Sequence, residues 1–175
     1  MLEQIHFLNV SKLISKAKKK RGIFFMAKNN KKIQNLIDIC EDAREFYTDA
    51  TDQTKDSDLK KLFRTMADIR KGIIIDLRAH MRQSDMNVAK PSETTMGQVN
   101  KFLGEKISSW SDNPDAALIA YLEEAEDRCL HAFQDLLKDD DIDSSTQIIV
   151  AKELETLKRT HDYMKELKEV TSMAA

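Results

Sequence analysis

Ile33, Leu36, Cys40, Ala43, Tyr47 and Ala50 recur at spacings of three, four, three, four and three along IQNLIDICEDAREFYTDA. A helix turns once every ~3.6 residues, so this spacing lays the apolar side chains along one seam and leaves the intervening charges on the other side. A strand, with its period of two, would expose much of the same set. The surrounding composition agrees with long helices. The chain has 175 residues, 41% of them hydrophobic, with only 4 Gly and 2 Pro to make turns. A single all-α core is expected from such material.

The first helix is expected from about Lys31 to Thr54, followed by the short turn KDSD with Asp56 or Ser57 as N-cap. A second helix, from about Asp58 to Ser84, carries Leu59, Leu62, Phe63, Met66, Ile69, Ile73, Leu77 and Met81. The short turn makes it an antiparallel neighbour of the first. Gly72 in its middle is expected to let a neighbouring side chain approach. After the polar stretch QSDMNVAKP, Ser92 caps a shorter helix with Met96, Val99, Leu103, Ile107 and Trp110 on one stripe. At ~27 Å it could carry the chain from one end of a bundle to the other.

Asn113-Pro114 starts a further long helix, to about Lys138, burying Leu118, Tyr121, Leu122, Ala125, Cys129, Ala132, Phe133 and Leu136. Ser144 with Gln147 forms a capping box for the last helix, to about Val170, on which Val150, Leu154, Leu157, His161 and Met164 repeat at three and four. The turn KDDDID between these two helices lacks the alternating oxygen ligands and the glycine of a calcium loop.

Charge excludes some partners. With 28 basic and 30 acidic residues the net charge is -2, which does not imply nucleic acid. Residues 1–25 nevertheless hold Lys12, Lys16, Lys18, Lys19, Lys20 and Arg21 against one acid, Glu3. This basic N-terminal extension has three readings: a mis-assigned start with translation beginning at Met26, a disordered or accessory tail, or a helix contacting an anionic membrane surface. Residues 26–175 are expected to form a single domain. Cys40 and Cys129 each fall on an apolar stripe, as buried thiols in a reducing, cytoplasmic compartment would. No apolar run approaches the ~20 residues needed to span a membrane.

The polar residues on or beside the stripes are the candidates for chemistry. Glu126 lies beside the stripe of its helix, and His161 lies within that of the last helix. Asp76 and His80 are four apart on the second helix, a spacing suited to a surface pair or to two ligands of a metal. No Ser–His–Asp ordering, phosphate-cradling glycine loop or acid–base dyad can be assembled from the motifs, so an enzyme is not expected.

Two long helices, a crossover helix and two more long helices resemble the ferritin-like four-helix bundle. The stretches LIDICEDAREFYTDA, LKKLFRTMADIRKGIIIDL, YLEEAEDRCLHAF and LKRTHDYMKEL resemble an uncharacterised bacterial family, a domain of unknown function within that superfamily. The resemblance implies the fold and a stress-associated setting. Di-iron members of the superfamily need a Glu on the first and third helices and Glu-x-x-His on the second and fourth. The matching positions here read Arg44, Ile69 with Gly72, Glu126, and Lys158 with His161. Only Glu126 and His161 are ligand types, which implies a degenerate di-iron site. In that register Arg44, Glu126 and His161 would form a partly buried polar cluster. The expected function is therefore a non-enzymatic bundle acting by homo-oligomerisation or by binding a protein partner, without a cofactor. The alternative is a metal-binding or redox bundle with a displaced iron, manganese or zinc site around Glu126, His161, Asp76 and His80.

Overall fold

The computed structural model describes the backbone of residues 2–83 and 113–173, and the side chains of Lys16, 28–83 and 113–173. Four helices account for nearly all of them: α1 (Leu2–Gln53), α2 (Ser57–Gln83), α3 (Pro114–Leu137) and α4 (Ser144–Met173). The architecture is the all-α four-helix bundle that the apolar periodicity predicts. α1 packs mainly on α2 and α3 mainly on α4, and the two hairpins meet along α1–α3 and α2–α4. No helix among the described residues is long and apolar enough to cross a membrane.

Contacts between the hairpins fix their direction. Lys32 pairs with Asp139 and Tyr47 with Glu126, so α1 and α3 are antiparallel. Asp76 pairs with Lys152, and Arg70 reaches Thr160, so α2 and α4 are antiparallel as well. Gln83 and Asn113 therefore lie at opposite ends of the bundle. The crossover helix expected around residues 92–110 lies outside the described residues.

α1 begins at Leu2 rather than near Lys31, so the basic extension has a helical backbone continuous with the bundle helix. Its 52 residues and the 27 of α2 correspond to about 78 and 40 Å.

Local chemistry explains the other helix starts. Asp56 caps α2, its Oδ1 accepting from the amides of Asp58 and Leu59 at 2.7 and 3.0 Å. Asn113 caps α3 by accepting from the Ala116 amide at 3.1 Å, with Pro114 at the first helical position. The cap of α4 is Asp143, one residue before the expected Ser144. Its Oδ1 accepts from the Thr146 amide at 2.9 Å, and its Oδ2 from Thr146 Oγ1 at 2.9 Å and Asn29 Nδ2 at 2.8 Å. Asp143 thereby ties the start of α4 to α1.

Gly72 does not serve a close approach. It faces solvent, and a Cβ built there would meet nothing within 4 Å. Replacing it by Ala should raise unfolding stability by about 0.5–1 kcal/mol, because the helix loses the entropic cost of an interior glycine. Urea denaturation of Gly72→Ala measures this.

Asp143 gives a pH dependence. Partial burial pushes its carboxyl up, but hydrogen bonds from Ser145 and Thr146 outweigh that and hold the pKa down to about 2. A folded value below the unfolded ~4 makes its contribution full above pH ~4 and lost as pH falls towards 2. Asp143→Ala should cost about 0.5–2 kcal/mol at neutral pH, and the gap from wild type should narrow over that acid window. Urea melts at several pH values check both parts.

Candidate functional site: a buried polar layer at the bundle centre

The four helices each send one polar side chain to the centre: Tyr47 from α1, Arg70 from α2, Glu126 from α3 and Thr160 from α4. All are buried, with Arg70 and Glu126 each 1% exposed. They lie at the junction of two apolar clusters. One gathers Ile33 to Ala43, Ile73 to Met81 and Cys129 to Leu136 with Val150 to Leu157. The other gathers Phe46 to Ala50, Phe63, Met66, Leu118 to Ala125 and Met164.

Glu126 is the hub. Its Oε1 accepts from the Tyr47 hydroxyl at 2.7 Å and from Arg70 Nη2. Its Oε2 accepts from Thr160 Oγ1 at 2.8 Å. Arg70 Nη2 also donates to Thr160 Oγ1 at 3.3 Å. Burial works against the guanidinium's charge, but Glu126 foremost, together with the neighbouring Cys129, Cys40 and Tyr47, outweighs it and keeps Arg70 more firmly protonated than usual. Burial, reinforced by Glu126, pushes the Tyr47 hydroxyl well up, so it remains a donor. Arg70 Nε and Nη1 find no hydrogen-bond partner among the described residues.

The expected cluster of Arg44, Glu126 and His161 is therefore corrected at two of its three positions. Glu126 is central, but its cation is Arg70; Arg44 is half-buried on α1 and takes no part. The inward residue of α4 is Thr160, and His161 stands beside it. Arg70 was visible in the sequence: Phe63, Met66, Arg70, Ile73 and Leu77 recur at three, four, three and four. Its charge disguised a seam position.

The metal alternative is also rearranged. Asp76 pairs with Lys152 at 2.5 Å, and His80 contacts Thr146 Oγ1 at 3.2 Å, so these two do not converge. His161 Nε2 lies 2.8 Å from Asp127 Oδ1 and its Nδ1 3.0 Å from Asp162 Oδ1. Burial pulls the imidazole pKa down, but the hydrogen bonds to Asp162 and Asp127 prevail and raise it. Glu123, Asp127 and His161 place ligand-type atoms within 4.8 Å of one another. Glu126 stays apart, occupied in the central layer. A dinuclear metal centre does not fit that layer: it offers one carboxylate, both of whose oxygens are engaged, and it contains a guanidinium.

Cys40 and Cys129 are buried free thiols, as expected, and the fold brings them side by side between α1 and α3. Cys129 Sγ lies 3.8 Å from the Ile39 carbonyl oxygen. Hydrogen bonding to Cys129, with burial, pushes the Cys40 thiol well up. A cavity of about 250 Å³ beside them is lined by Phe46, Ala125 and Cys129 among others.

Replacing Arg70 by Met should cost about 3–5 kcal/mol, because Glu126 is left charged and stranded in the core. The same change at Arg44, which holds no buried partner among the described residues, should cost under about 1 kcal/mol. Chemical denaturation of the two variants separates the observed register from the expected one.

A family model described as a domain of unknown function, DUF2383, matches residues 28–139. That range holds the bundle part of α1, all of α2 and all of α3, including Tyr47, Arg70 and Glu126. Comparison with curated proteins and with solved structures gave no significant match.

Proposed function

We infer that this chain, which belongs to the DUF2383 family of unknown function, is a non-enzymatic bundle on a ferritin-like scaffold that acts by association. The favoured associate is a second copy of the chain, and a partner protein is the other arm of the same reading. Two antiparallel hairpins, the first ending and the second starting at opposite ends of the bundle, support the ferritin-like plan. At the centre, where bundle proteins build cofactor sites, side chains from all four helices meet, and both carboxylate oxygens of Glu126 are engaged by Tyr47, Arg70 and Thr160.

The observation that carries the associative role is a row of exposed apolar side chains on α4. Ile148, Tyr163, Val170 and Met173 are 72%, 50%, 59% and 86% exposed. At 3.6 residues per turn they fall within an arc of about 80° on the outer face of the helix. Lys152, Glu155, Arg159 and Glu166 fall within the same arc, between and among these apolar positions. Antiparallel pairing of two such faces would set Ile148 of each copy near the Val170–Met173 end of the other, a self-complementary contact of the two-fold kind.

Sedimentation velocity over a wide concentration range tests this. The wild-type chain should show a reversible dimer. Tyr163→Glu with Val170→Glu should weaken it by about tenfold or more, or ~1.4 kcal/mol, without loss of helicity. A wild-type chain that remains monomeric at every concentration contradicts self-association.

A further inference from the structure

Glu123 and Asp127 are four residues apart on α3 and so project from one side of the helix. His161 of α4 faces them. One ligand-type atom from each lies within 4.8 Å of the others; donors at about 2.0–2.2 Å around one tetrahedral cation stand about 3.3–3.6 Å apart, so modest side-chain shifts would draw the three into one shell. The pocket is sheltered but not sealed: the side chains of Glu123 and His161 are 10% and 13% exposed, whereas Asp127, at 44%, leaves an open side.

A second observation concerns the orientation of the imidazole. Asp162 Oδ1 sits 3.0 Å from His161 Nδ1, while Nε2 faces Asp127. Metal-ligating histidines characteristically use one ring nitrogen to hold a carboxylate that sets the tautomer, leaving the other to bind the ion. Asp162 is in that position. The donor set of one imidazole and two carboxylates suits transition metals better than Ca²⁺ or Mg²⁺, which take oxygen alone. Lys168 Nζ, 2.5 Å from Glu123 Oε2, is the competing cation.

We propose that Glu123, Asp127 and His161 form a mononuclear site for a divalent transition metal, with His161 Nε2 and one oxygen of each acid as ligands and solvent completing the shell. Zn²⁺, Mn²⁺ and Fe²⁺ are the ions matched to these donors. The site is separate from the central layer and independent of the apolar row on α4, so either proposal can fail alone.

The test uses the full chain without a polyhistidine tag, stripped by chelator and titrated with Zn²⁺ by calorimetry. Co²⁺ is added in parallel to report the ligand field by visible absorption. The expected result is one equivalent of Zn²⁺. His161→Ala and Asp127→Asn should each weaken binding by at least about tenfold and lose the Co²⁺ spectrum. Asp162→Asn, which removes only the orienting carboxylate, should weaken it by about 10–100-fold, and Lys168→Met should strengthen it. His80→Ala and His131→Ala should leave binding unchanged, and circular dichroism confirms the fold of each variant. A wild-type chain that takes no Zn²⁺, or Zn²⁺ binding that survives His161→Ala, overturns the proposal. If His161→Ala does not fold, unchanged affinity in both Asp162→Asn and Lys168→Met overturns it instead.

Discussion

Arg70 and Glu126 are each 1% exposed, and neither charge could be so buried without the other. Taking an ion from water into a core costs several kcal/mol, offset only when geometry and additional hydrogen bonds are good. Tyr47 and Thr160 supply those bonds to the carboxylate. The cluster therefore demands that four helices from four parts of the chain meet at one height. The apolar seams on either side are less demanding, since a Leu or Ile can slide along a groove and still be buried. A one-residue rotation of α2 would carry Arg70 out and strand Glu126. We infer that the polar layer selects the helix register, while the two apolar clusters supply most of the driving force.

The starts of α2 and α3 and the antiparallel pairing of α1 with α2 were legible because period-3.6 apolar spacing, Asp56 and Asn113-Pro114 point to the same boundaries. The start of α1, at Leu2 rather than near Lys31, was not. The centre was less legible. A buried stripe is at least ~100° wide, and one residue of helix is also about 100°, so pattern alone cannot separate a position from its neighbour. Thr160 for His161 is an error of one residue at the edge of a stripe, and so is Asp143 for Ser144 at a cap. Choosing Arg44 over Arg70 has a different cause. Arg70 occupies a seam position, but a rule that places charge outside skips it, because only the partner on α3 makes its burial tolerable. Glu126 stands out in the sequence because it flanks Leu122 and Cys129; the group that neutralises it, 56 residues away, leaves no local mark.

The arrangement also bears on function. The centre is a polar joint between the four helices, holding a guanidinium and a carboxylate with both oxygens engaged. The groups proposed to meet an outside molecule lie instead at the periphery, along α3 and α4. Glu123, Asp127 and His161 line the groove between those two helices, and the exposed apolar row lies on α4 itself. A rigid, register-locked centre suits such a division, because the outer faces of α3 and α4 are then held in one relative position.

The most direct measurement of the central claim is a double-mutant cycle in which Arg70→Met and Glu126→Leu are made singly and together, with unfolding free energies from urea denaturation. If the pair is mutually dependent, the double variant will be no less stable than the worse single one, with a coupling energy above about 2 kcal/mol. Additive losses, with coupling within about 0.5 kcal/mol of zero, would contradict the account.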